Sequence, residues 1–126
     1  MNSKPQLLAW LCCDGVHIDP GTGKHTLLGI FSNIKARKFP VVHPRMFWFL
    51  TITDVAPGEH TLKISMGAGL GDTRTLVERK FTSSSPVQRI NLINEIQRLQ
   101  FNQPNDYSIV VEVDDETLLL TSISVS

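Results

Sequence analysis

Apolar and polar positions alternate through most of this chain, and turn-forming residues separate the alternating runs. From His60 to Met66, Leu62, Ile64 and Met66 point one way and Thr61, Lys63 and Ser65 the other, as in a strand with one buried face. Tyr107, Ile109, Val111 and Val113 alternate with Ser108, Val110 and Glu112 in the same manner. The acidic turn Asp114-Asp115-Glu116 follows, and then a last strand with Leu118 and Leu120, or Leu119, Ile123 and Val125, facing inward. Arg45 to Thr53 is the most apolar run, with Met46, Trp48, Leu50 and Ile52 on one face and Phe47 and Phe49 on the other. Gln6 to Ile18 reads as a first strand, with Leu8, Trp10 and Cys12 on one side and Leu7, Ala9, Leu11 and Cys13 on the other. Arg74 to Thr82 reads as another, with Thr75, Val77, Arg79 and Phe81 together.

Asp19 to Ile34 is the stretch around which the remaining strands are expected to lie. Asp19-Pro20-Gly21-Thr22-Gly23 gathers turn formers, and Leu27-Leu28-Gly29-Ile30-Phe31 is apolar on both faces, as in a strand buried on both sides. Gly29 inside that run implies a bulge or a close neighbouring backbone. The strand is expected to reach Ala36, and Phe39-Pro40 and His43-Pro44 to interrupt pairing, because proline has no N–H to donate. Gly23-Lys24 is no phosphate loop: the pattern needs a glycine where Ile18 stands and a hydroxyl where His25 stands. Gly67 to Asp72 reads as a flexible connection and misses the dinucleotide fingerprint at Asp72. Val87 to Phe101 fits two periods. Ile90 and Leu92 suit a strand, whereas Leu92, Ile93, Ile96 and Leu99 form a helical stripe, so the reading is a strand to Ile93 and a short helical turn near 94–99.

Seven or eight short strands with regular turns describe an all-β, antiparallel β-sandwich in one domain spanning 1–126. Tyr107, following Pro104-Asn105-Asp106, stands where such sandwiches keep a corner tyrosine. Twelve basic residues balance twelve acidic ones, so the bulk charge that draws proteins to nucleic acid is missing. No run approaches membrane-spanning length. Cys12 and Cys13 are adjacent, and a disulfide between neighbours is strained. Two free thiols point to a reducing, cytoplasmic setting.

Cys13-Asp14, Asp19, Thr22-Gly23-Lys24, Leu27-Leu28-Gly29-Ile30-Phe31, Phe39-Pro40 and His43-Pro44 together resemble the N-terminal signature of a family of small bacterial proteins of unknown function. Phe101, Pro104, Tyr107 and Asp114-Asp115 resemble that family's C-terminal part, while Thr53 and Asp54 depart from it, standing where such sequences carry glycine. The resemblance implies a bacterial origin and an immunoglobulin-like sandwich, and it transfers no catalytic residues.

Candidate chemistry is sparse. Asp14, His17 and Asp19 lack metal-ligand spacing, and a cysteine on an apolar strand is ordinarily a small buried hydrophobe, so no catalytic residue, metal or cofactor is assigned. Counting strand crossings places the turns at 19–24, 54–59, 83–86 and 114–116 at one end. That end gathers Asp19, Asp54, Glu59, Asp114, Asp115 and Glu116, with Arg37, Lys38, His43, Arg45 and Arg74 at the other. Asp19, Asp54, Asp114 and Asp115 are the candidate cation or small-ligand end. Two-faced apolarity at Leu7–Cys13 and Met46–Leu50 marks a candidate protein interface comprising Trp10, Phe47, Phe49, Arg37, Lys38, His43 and Arg45. The expected function is a non-enzymatic interaction or structural module, binding a protein partner or a second copy. A ligand or cation binder is the alternative, and a thiol- or metal-dependent hydrolase the third reading.

Overall fold

The computed structural model describes residues 4–68 and 73–126 and builds them into nine strands with no helix among them. These are β1 (Gln6–Ile18), β2 (His25–Phe31), β3 (Asn33–Ile34), β4 (Val41–Thr53), β5 (Gly58–Gly67), β6 (Thr73–Ser83), β7 (Ile90–Phe101), β8 (Asn105–Val113) and β9 (Glu116–Val125). One sheet has the order β2-β1-β4-β7 and the other β3-β9-β8-β5-β6. All neighbours are antiparallel except β3 and β9, which are parallel. Much of the connection from Gly67 to Asp72 lies outside the described residues.

The sheets pack through alternating side chains. Met46, Trp48, Leu50 and Ile52 of β4 are wholly buried against Leu62, Ile64, Ile109, Val111 and Val113 of the other sheet. On β9 Leu119, Ile123 and Val125 face inward, Leu118 also packs on the core where the ladder to β8 is bulged, and Leu120 faces solvent. Tyr107 caps the core: its hydroxyl donates to the Gln103 carbonyl at 2.6 Å, and its ring meets Phe101 edge-on.

Four expectations change. The helical turn near 94–99 is absent, because β7 pairs with β4 along its whole length. Its misleading stripe has a local cause. Arg98 takes φ 53° opposite Pro44, the buried parity slips there, and Ile96 is followed inward by Leu99 and Phe101. A step of three residues then imitates a helix. Pro44 is accommodated within β4 because β1 pairs only as far as Phe47 and leaves that flank open.

Second, a bulge at Leu8 reassigns the faces of β1. Leu7, Trp10 and Cys12 turn inward, and Ala9, Leu11 and Cys13 turn outward with Phe47 and Phe49. Third, the stretch from Asp19 to Ile34 is peripheral. β2 is an edge strand with Leu28 and Ile30 exposed. The chain leaves it at Ser32 to join the other sheet as β3, so the strand expected to reach Ala36 is divided. Fourth, Gly29 has φ 68° and faces Asp14, which marks a bend in the β1–β2 hairpin. The His25 ring lies 6.1 Å from that of Phe49, although Ile30 pairs beside Phe47's partner Cys13. The distal hairpin therefore leans back over the outer face of its sheet.

A Cβ at Gly29 would stand 2.6 Å from Asp14 Oδ2 and 3.2 Å from its Cβ and Cγ. Gly29→Ala should therefore destabilise the fold by about 1–3 kcal/mol through left-handed strain and this clash together. Adding Asp14→Ala should recover only the steric part, as measured by urea unfolding of the single and double variants.

Candidate functional site

The outer face of the first sheet carries Ala9, Leu11, Cys13, Phe47, Phe49 and Ile93 across adjacent registers of β1, β4 and β7. Phe47 and Phe49 are half-buried beneath the leaning hairpin, and Cys13 is fully covered. Arg45 lies over the Phe47 ring at 5.1 Å and within 3.8 Å of Glu95. His43 lies past the parity slip at Pro44, paired with the buried Leu99; its ring is tilted at 40° to that of Phe31, and it approaches Asp14 at 4.0 Å. Arg37 and Lys38 are exposed in the loop before β4. Trp10 does not share this face. It packs inward on Trp48, with ring centroids 5.7 Å apart.

The acidic end forms in part. β4, β6 and β8 finish where β5, β7 and β9 begin, which brings the turns bearing Asp54, Asp114 and Asp115 to one end. Asp19 lies at the other terminus of β1, whose start pairs with Thr53, so the crossing count missed by one strand. Its carboxylate accepts from the Thr22 N–H at 3.0 Å and the Thr22 hydroxyl at 2.6 Å, closing the hairpin turn. Asp114 and Asp115 take φ 50° and 66°, the mirror-image turn that suits a two-residue hairpin. Among the described residues no group of three or more His, Cys, Asp and Glu side chains is placed to hold a metal ion.

Asp114 is engaged within the chain. Its carboxylate accepts from the Thr61 N–H at 2.9 Å and contacts His60 Nδ1 at 2.5 Å. His60 Nε2 lies 2.6 Å from the Ala56 carbonyl, and the ring stacks on Phe81. Both ring nitrogens thus face acceptors, an arrangement that suits the doubly protonated imidazolium. The Asp114 contact, the Ala56 carbonyl and the Asp114 charge raise the His60 pKa against the opposing effect of burial. For Asp114, burial pushes the carboxyl up, but the His60 contact, the Thr61 N–H and the imidazolium charge outweigh it and hold it below its ordinary range.

Burial, with Cys13 alongside, pushes the Cys12 thiol up to about 12, and burial also raises that of Cys13. Both thiols are free and hold their protons at neutral pH, the opposite of an activated nucleophile. Cys12 lines an apolar cavity of about 240 Å³ between the sheets, with Trp10, Ile30, Phe31, Thr121 and Ile123. A larger polar hollow of about 520 Å³ is lined by Arg74, Gln100, Asn102 and Tyr107. No helix among the described residues is long and apolar enough to cross a membrane.

Three residues with structural consequences were not singled out as sites from the sequence. Asn94 is buried and donates to the Trp48 carbonyl at 3.1 Å. Arg79 reaches from β6 to the Ile93 carbonyl at 3.0 Å and Asn94 Oδ1 at 3.4 Å, clasping the two sheets. Asn94 had a readable signal, since it shares the parity of Leu92 and Ile96. His60 had none, because its partner lies 54 residues away.

The His60 contribution is fully present below that side chain's ordinary pKa of 6.5 and fades as pH rises through the raised folded value. The Asp114 contribution is present above 3.8 and fades as pH falls through the lowered folded value. Asp114→Asn keeps a residue that tolerates the left-handed turn. It should cost about 0.5–1 kcal/mol between these pH values, a range already discounted because Asp114 is half-exposed. The cost should shrink toward either extreme in unfolding curves measured across pH.

Comparison with known proteins bears on the fold and the family. A solved structure of a Pseudomonas fluorescens alkylpurine DNA glycosylase, AlkC, bound to DNA containing an abasic site analog, superposes with a TM-score of 0.51 at 12% identity. The match covers 98% of this chain but 30% of the glycosylase, so it is a likeness of fold. No curated protein matches by sequence. The profile of a family of unknown function, DUF6941, matches residues 8–126, nearly the whole chain, and the chain belongs to that family.

Proposed function

We propose that this protein is a non-enzymatic interaction module, an immunoglobulin-like sandwich that pairs with a second copy through the β1–β2 hairpin and the sheet face beside it. The observation that carries the reading is exposure. Ile18, Leu28 and Ile30 are 51%, 55% and 57% exposed on one hairpin. Large apolar side chains concentrated in this way mark a contact surface. The adjoining face carries both signs of charge in Arg45 and Glu95. A two-fold axis passing between them would set each against its opposite on the second copy, which would make the patch self-complementary. The mixture of parallel β3 and β9 with antiparallel neighbours, together with the Tyr107 corner, supports the immunoglobulin-like assignment.

The protonated thiols and the internally bonded Asp19 and Asp114 favour this reading over a hydrolase or a cation site. The DNA in the similar structure belongs to that glycosylase. Here basic and acidic residues balance at twelve each, which favours a protein partner over nucleic acid. The two reduced cysteines support a cytoplasmic setting.

Sedimentation velocity over a concentration series should show a reversible dimer of the wild type. Ile30→Glu should weaken it at least ~10-fold, or ~1.4 kcal/mol, with an unchanged unfolding midpoint. A wild type that stays monomeric throughout the series overturns the reading.

A further inference from the structure

The edges of the two sheets are not equally guarded. Exposed strand edges invite pairing with other chains unless charge, proline or a kink blunts them. β6 carries Arg74, Glu78, Arg79 and Lys80. β7 carries Glu95 and is kinked by the left-handed Arg98, and β2 is bent at Gly29. β3 should shield β9, yet it pairs only at Ser124 and Val125. The ladder of β9 to β8 is bulged at Leu118, but from Leu119 to Ser122 the edge holds no charge, no proline and no positive φ.

The direction of its backbone groups follows from two bonds. Ser124 N–H donates to the Ser32 carbonyl at 3.2 Å and Ser126 N–H to that of Ile34 at 2.9 Å. Even-numbered amides near the end of β9 therefore point away from β8. By alternation those of Leu120 and Ser122 do the same, and among the described residues nothing pairs with them. Leu120 is 63% exposed, its side chain standing on the outer face of this sheet. The apolar cavity lies directly beside this edge, with Thr121 and Ile123 in its wall opposite Trp10, Ile30 and Phe31. At about 240 Å³ it is smaller than the roughly 300–1,000 Å³ of a small-molecule site and suits one or two side chains.

We infer that the β9 edge is a docking site for an extended, uncharged segment of a partner polypeptide. The segment adds a strand at Leu120 and Ser122 and seats an apolar side chain in the cavity between the sheets. Backbone bonds supply the attachment, and the cavity selects every second side chain. The segment lies in line with β3, beside the part of β9 that β3 does not reach. Two-fold pairing of β9 with a second β9 about Leu120 is disfavoured, because it sets Glu116 of one copy opposite Ser124 of the other, where β3 already lies. This site shares Ile30 with the hairpin surface, but its backbone donors lie on β9 and do not depend on that reading.

Panning a phage-displayed library of random dodecapeptides against the full chain should enrich uncharged sequences with apolar residues at alternate positions. The corresponding synthetic peptide should slow hydrogen exchange at the Leu120 and Ser122 amides at least ~10-fold, which NMR reads residue by residue. Ser122→Pro removes an outward N–H while keeping the ladder to β8, and it should weaken binding at least ~10-fold. Methylating alternate amides of the peptide should do the same with the protein unchanged. The proposal is overturned by failure to enrich any sequence, by protection elsewhere, or by binding indifferent to both changes. Edge amides already protected in dilute free protein overturn it too, and protection that rises with protein concentration alone assigns the edge to a second copy.

Discussion

The inner face of β4 holds the two sheets in one register. Met46, Trp48, Leu50 and Ile52 are each fully buried, and at roughly 1.5–3 kcal/mol apiece they are a major apolar contribution from one strand. Burial alone does not specify how the neighbouring strand aligns, because any apolar residue fills such a space approximately. The polar groups supply that information. Trp48 donates its indole N–H to Met46 Sδ at 3.2 Å, and its carbonyl accepts from Asn94 across the ladder. Asn94 is in turn bonded by Arg79 from the opposite sheet. Sliding β7 by one residue would leave a buried amide without its partner and turn Leu92 and Ile96 to solvent.

Much of the interior was legible because alternation is a local property. The inner sets on β4, β5 and β8 follow from reading every second residue, and so does the placement of Tyr107. The errors of facing share one physical origin, a local irregularity of the strand. Leu8 is an extra residue in β1, Arg98 adopts a left-handed conformation opposite Pro44, and Gly29 bends a hairpin against Asp14. Each irregularity is fixed by what lies across the ladder, and only Gly29 is announced by its own strand. Trp10 was therefore grouped with Leu8, and Ile96 and Leu99 imitated a helix. The interface candidates suffered accordingly: Phe47 and Phe49 remain on the outer face, while Trp10 belongs to the core and to the cavity.

The acidic end shows a different limit. Sequence supplies the carboxylates but not what they spend themselves on. Asp19 closes its own turn, and Asp114 fastens the β8–β9 hairpin to the start of β5 through His60 and Thr61. Asx-type bonding within a turn is foreseeable from Asp19 and its glycine neighbours. The bond from His60 is not, because two strands must be folded before the ring and the carboxylate meet.

The same accounting bears on the proposed contacts, which would rest on shape and backbone more than on charge. Lys80 faces Glu59 at 3.3 Å, Arg45 faces Glu95, Lys4 lies 3.9 Å from Glu116, and His60 holds Asp114. These local pairs engage part of the charge, and the twelve basic and twelve acidic residues cancel in sum, which removes the net charge that would steer a partner. What such a surface retains is contact chemistry: half-exposed aliphatic side chains on a hairpin, and backbone donors on one unguarded strand. Surfaces of that kind gain specificity from fit and hydrogen-bond register, since an unpaired amide at the wrong alignment costs more than a misplaced surface charge.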